Sequence, residues 1–157
     1  MKRILVLMFT FLLLIFSLPI VSSFFVETRQ DTLLSSLGKY ENRKFWSHGD
    51  FQDYTDFGIY TYKSINLSES EYFKTVSEND FATISSFIDN FENWVDSISK
   101  NSPNDELVLN YDFDRSIIDT TDFFYIYEDK NYAKFGCYDV WFFDSQTMTL
   151  YYFHNNI

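Results

Sequence analysis

Between Glu78 and Ser99 the apolar residues Phe81, Ile84, Phe87, Ile88, Phe91, Trp94, Val95 and Ile98 recur at spacings of three and four. That period belongs to an amphipathic α-helix. Thr83, Ser86, Asp89, Asn90, Asn93 and Asp96 take the remaining surface. Ser77 is the expected cap, with Asp80 at the capping-box position, and Asn101-Ser102-Pro103 is the expected stop. A helix with so wide an apolar face must bury it against something large and apolar. The strands elsewhere in the chain are the only candidate.

Strand-like runs flank this helix. Phe57–Ile65 is rich in β-branched and aromatic residues. After the helix, Leu107–Phe113 alternates, Phe123–Glu128 is nearly continuous in apolar residues, and Lys134–Phe143 and Met148–His154 follow. Turn residues at Asp129–Asn131 and Asp144–Thr147 make the last three a predicted antiparallel meander. Thr28–Leu37 reads as a short helix capped by Thr28 and closed by Gly38, and the charged Lys39–Lys44 reads as a connector. The expectation is an α+β fold: an antiparallel sheet of four to five strands with one long amphipathic helix packed on it. An N-terminal hydrophobic signal or anchor segment precedes it. The predicted layout is residues 1–26 as signal peptide or membrane anchor, 27–47 as short helix and connector, and 48–157 as one extracytoplasmic domain.

The export reading rests on the first segment. Lys2 and Arg3 precede an uncharged run, Ile4–Val26. As a helix this run would reach ~34 Å, enough for a hydrocarbon core of ~30 Å. Pro19 and the small residues Ser22 and Ser23 equally suit a cleavable signal ending before Phe24. Either way the basic flank stays in the cytoplasm and the rest of the chain is expected outside. An uncleaved segment would make the membrane itself a partner.

Charge narrows the partners further. The chain has 12 Lys and Arg against 23 Asp and Glu, a net charge of −11. Nucleic-acid binders need the opposite sign to neutralise phosphates. A protein or peptide partner at the cell surface is the expectation, with a basic one favoured by charge. One cysteine excludes an intrachain disulfide framework and a Cys-rich zinc site. No cofactor is implied by any motif. The leading functional expectation is therefore a non-catalytic extracytoplasmic binding or accessory domain. The aromatic fraction of 22% carries little functional weight, because an AT-rich codon bias alone raises Phe and Tyr.

Several residue groups could carry chemistry. His48, Asp50, Asp53 and Asp56 lie in HGDFQDYTD, where one helical turn would gather the acids on one side. Asp112, Asp114, Asp119 and Asp122 form a second acidic cluster around Arg115, which is expected to pair within it. Oxygen-rich sets of this kind suit calcium, so a calcium-binding module using Asp50, Asp53 and Asp56, or Asp112 and Asp114, is one alternative. Trp94 is expected in the core and Trp141 half-buried. Trp46 has a loop-like context and is the candidate partner-binding residue. The sharpest chemical alternative is a cysteine-dependent hydrolase. A last hairpin symmetric about Ser145–Gln146 would set Cys137 opposite His154, with Asp139 diagonal to it on the same face. Thiol, imidazole and carboxylate are the parts of an activated nucleophile.

Overall fold

The computed structural model describes residues 28–49 and 53–156. The segment expected to be a signal or anchor, Asp50 and the Phe51-Gln52 pair lie outside the described residues. The chain divides into two compact units, Met1–Ser36 and Leu37–Ile157. Of the first, helix α1 (Arg29–Leu37) is described. Thr28 caps it as expected: its Oγ1 accepts from the Asp31 amide at 3.1 Å and donates to the Asp31 carboxylate at 2.7 Å. Gly38 follows at φ +82°, a conformation that suits a residue without a side chain.

The second unit is an α+β fold built on a six-stranded antiparallel sheet. Its strands are β1 (Asn42–Gly49), β2 (Tyr54–Thr61), β3 (Lys74–Thr75), β4 (Phe123–Glu128), β5 (Cys137–Asp144) and β6 (Thr149–Asn156). The spatial order is β1-β2-β6-β5-β4-β3. The predicted β4-β5-β6 meander is present, and β2 adds to its far side against β6. Two strands are additional to the expectation. The Lys39–Lys44 connector runs into β1, whose Asn42, Arg43 and Lys44 are exposed. Charged, weakly apolar edge strands discourage pairing with other chains, and their composition resembles a linker. β3 has only two residues.

Helix α2 (Phe81–Asn101) lies across one sheet face. Ile84, Phe87, Ile88, Phe91 and Val95 are buried with Phe57 of β2, Val140 and Phe142 of β5, and Phe153 of β6. Edge-to-face ring pairs lock the contact, with Phe91 to Phe153 at 5.3 Å and Phe87 to Tyr138 at 5.1 Å. The start of α2 uses half of the expected capping box. The Asp80 carboxylate accepts from the Ser77 amide at 3.1 Å, but Ser77 sits in a turn before the helix. The helix ends at Asn101, before Ser102-Pro103, as the sequence indicates.

One predicted strand is a helix. The 107–113 region starts with α3 (Glu106–Asn110), capped by Asp105, whose side chain accepts from the Leu107 amide at 2.9 Å. Leu107 is fully buried while Leu109 is 65% exposed, so the two do not share the face that strand alternation requires. The cap decides the local conformation, since an Asp that satisfies an otherwise orphaned helix amide favours the helical start.

Candidate functional site

Two places in the second unit gather side chains able to do chemistry. The first is an open cleft of about 250 Å³ between the last turns of α2 and the β1–β2 hairpin. Trp94, Ile98 and Asn101 line it from the helix, and His48, Asp53 and Tyr54 from the hairpin. The helix supplies Trp94 because its period carries position 94 to the rim of the apolar stripe rather than its centre. There the ring is half-buried instead of enclosed in the core as the sequence suggested. Gly49 shapes the floor. Its φ is +109°, and a Cβ would stand 2.1 Å from the Asp53 carbonyl oxygen, so no side chain fits.

His48 is held within this cleft. Its Nδ1 lies 2.7 Å from Asp105 Oδ2, while Asp105 Oδ1 caps α3. One carboxylate thus fixes both a helix start and the orientation of an imidazole. Asp105 is not among the residues the sequence singles out, because the segment after it reads as a strand. The Pro103-Asn104-Asp105-Glu106 run is nonetheless an N-cap signal.

The second place is a polar row on the opposite sheet face. The registers align Ser47, Asp56, His154, Asp139 and Tyr127 across five strands. His154 Nδ1 lies 2.7 Å from Asp139 Oδ1, which also accepts from the Tyr152 hydroxyl at 2.9 Å. Tyr54 stacks on the imidazole with ring centroids 4.7 Å apart. Asp56, Asp139 and His154 are all buried. His154 Nε2 and Asp56 Oδ1 have no hydrogen-bond partner among the described residues. Burial raises the Asp56 pKa above the ordinary carboxylate range, against the opposing pull of a Ser47 hydrogen bond and the nearby His154.

This geometry revises the thiol reading. Asp139, not Cys137, stands opposite His154, and Cys137 pairs with Asn156. The four-residue loop between β5 and β6 is Ser145–Met148 rather than Asp144–Thr147, so its centre moves by one residue and the register by two positions from the symmetric hairpin expected. Asp144 explains the displaced loop: it is the last paired residue of β5, and its carboxylate accepts from the Gln146 and Thr147 amides and the Thr147 hydroxyl. An even shift keeps every side chain on its predicted face. Cys137, Asp139 and His154 therefore share a face, but the imidazole is turned to the carboxylate and Nε2 makes no hydrogen bond to the thiol.

The other candidates separate in space. His48 is on β1 and Asp56 on β2, so the described part of HGDFQDYTD is the hairpin rather than a helical turn. Asp53 sits at the hairpin end and Asp56 points into the buried row. In the second cluster, Asp114 accepts from the Ser116 amide, Asp119 from the Thr121 amide, and Asp122 from the Asp119 and Ser145 amides. These hydrogen bonds lower the pKa of Asp114 and Asp119, whereas burial raises that of Asp122. Asp112 is exposed. Arg115 turns away from this cluster and pairs with Asp89 and Glu92 of α2. Among the described residues, no group of three or more His, Cys, Asp or Glu side chains is placed to hold a metal ion. Trp46 belongs to β1, not to a loop, and stacks on Phe57 at 5.8 Å. Trp141 is fully buried rather than half-buried, stacked on Tyr152 at 4.1 Å. No helix of the described residues is long and apolar enough to cross a membrane.

Comparison with protein-family models, with curated proteins and with solved structures finds no match to this chain.

Proposed function

We propose that the chain is a non-catalytic binding or accessory module, exported or anchored by its first segment, that engages a protein or peptide partner outside the cytoplasmic membrane. The observation that carries the reading is the Trp94 cleft. A half-buried indole beside His48 and Asp53 offers an apolar wall with polar groups at its rim, the usual composition of a recognition site. The negative charge of the chain supports a basic partner and an association rate that falls with salt. A photo-crosslinking residue in place of Ser97, inside the cleft, should trap one recurrent partner in intact cells. The same residue at Glu78, at the other end of α2, should not. Loss of the crosslink in Trp94→Leu supports the reading. A Trp94-independent crosslink, or turnover by the purified protein in a broad hydrolase screen, overturns it.

The hydrolase alternative keeps one favourable observation, the carboxylate seated on His154 Nδ1. Fast alkylation of Cys137 in the folded protein, lost in His154→Ala, would favour it. Labelling only after denaturation marks a structural thiol.

A further inference from the structure

We infer that the cleft between α2 and the β1–β2 hairpin receives a single arginine side chain of a basic partner segment, stacked on Trp94 within reach of the Asp53 carboxylate. This inference rests on the binding reading above and names the chemistry of the occupant.

Size comes first. At about 250 Å³ the cleft is smaller than the ~300–1,000 Å³ typical of sites that enclose a whole small molecule. It suits one long side chain entering from a partner's backbone. Charge comes second. Asp53 is exposed at the hairpin end of the cleft. His48 faces Asp105 at 2.7 Å, so this pair adds no net positive charge even when the imidazole is protonated, and is net negative when it is neutral. The cleft also meets the last turn of α2, the negative end of the helix dipole, although Lys100 in that turn and the Asn101 amide on the Ser97 carbonyl offset part of it. The excess of 23 acids over 12 bases extends the same sign to long range.

The wall selects among cations. An indole face attracts a cation through its quadrupole. A guanidinium is planar and weakly hydrated, so it stacks flat on that face and still presents a fork of N–H donors to a carboxylate. A lysine ammonium is a compact, strongly hydrated point charge and gains less from the same wall. Trp46 and Trp141 do not offer such a wall, since the first stacks on Phe57 and the second is fully buried.

The test uses the full-length protein in a neutral detergent and three blocked tripeptides, Gly-Arg-Gly, Gly-Lys-Gly and Gly-citrulline-Gly. Binding is read by calorimetry and by tryptophan emission. Citrulline has nearly the shape of arginine without its charge. The arginine peptide should bind saturably with a dissociation constant on the order of 1 mM, and the citrulline peptide about tenfold more weakly. Trp94→Leu should weaken arginine binding about tenfold and Asp53→Asn about threefold, and rising salt should weaken it further. Asp53 is exposed, so its variant tests the contact even if Trp94→Leu perturbs folding. Equal affinity for arginine and citrulline, tighter binding of lysine, or undiminished binding in Asp53→Asn overturns the inference. A neutral oligosaccharide that binds in a Trp94-dependent way, where the arginine peptide does not, overturns this occupant while leaving the cleft as a binding site. A Trp94-independent partner in the crosslinking experiment removes the site itself.

Discussion

The protein has two histidines, and both place Nδ1 at 2.7 Å from an Asp oxygen. The surroundings make the pairs different objects. His48 and Asp105 have side chains 34% and 19% exposed, at the mouth of a cleft, with water able to solvate either partner. His154 and Asp139 are 9% and 6% exposed, beneath a stacked Tyr54, and share their carboxylate with the Tyr152 hydroxyl. Identical heavy-atom geometry thus implies a weak, replaceable contact in one place and an interdependent buried network in the other. Solvent screening caps the first, while desolvation magnifies the loss of any single member of the second.

The largest expected effect breaks the buried pair. Asp139→Ala should destabilise the fold by about 3–5 kcal/mol, because His154 and the Tyr152 hydroxyl would lose a buried partner. Urea denaturation of the variant beside the parent measures it. A loss below about 1 kcal/mol would mean the row is more hydrated than its burial implies and would erase the contrast with His48.

Next in size is Gly49→Ala, which acts on the cleft side. The substitution combines a left-handed backbone with a Cβ that would stand 2.1 Å from the Asp53 carbonyl oxygen. A cost of roughly 1–3 kcal/mol follows from the strained conformation alone. The hairpin end must also shift to relieve the clash, so the variant should change Trp94 emission as well as the midpoint of unfolding.

Asp56→Asn sharpens the comparison through pH. The folded-state pKa of Asp56 is raised, so the carboxyl favours folding when protonated. That contribution is present below its unfolded pKa and is lost as pH rises through the folded value. Asparagine cannot ionise. The variant should therefore be more stable than the parent at neutral pH, by on the order of 1 kcal/mol, with the gain shrinking as pH falls toward the ordinary carboxylate range. Thermal melts of both proteins across that range test it, and a gain independent of pH would assign the effect to something other than the carboxyl charge.

The same two regions show how far the sequence reaches. The α2 stripe was legible because 3–4 spacing persists through Phe81–Ile98, and β4 was legible because its aromatic run sits between turn residues. The face shared by Cys137, Asp139 and His154 was legible because strand parity survives an even register error. The Asp139–His154 contact was not, because the residue at which the loop begins depends on how Asp144 folds the turn beneath it. Nor was the cleft. Its hairpin wall includes β1, whose charged edge composition hides a strand, and its His48 partner comes from Asp105, 57 residues away in sequence. No local pattern encodes a contact over that separation.

The smallest effect is expected where the geometry looks just as good. His48→Ala should cost no more than about 1 kcal/mol, since a half-exposed pair gains little over solvated partners. Asp105→Ala should cost about 1 kcal/mol more, because that carboxylate also caps α3 through the Leu107 amide. A double-mutant cycle separates the two roles. The cap term appears in both backgrounds and cancels, leaving a coupling between His48 and Asp105 of about 0.2–1 kcal/mol that weakens with salt. The equivalent cycle on His154 and Asp139 should give a larger coupling that salt barely moves, since neither partner is screened by solvent. Equal couplings and equal salt responses for the two pairs would show that burial, the one property separating them, does not set their strength.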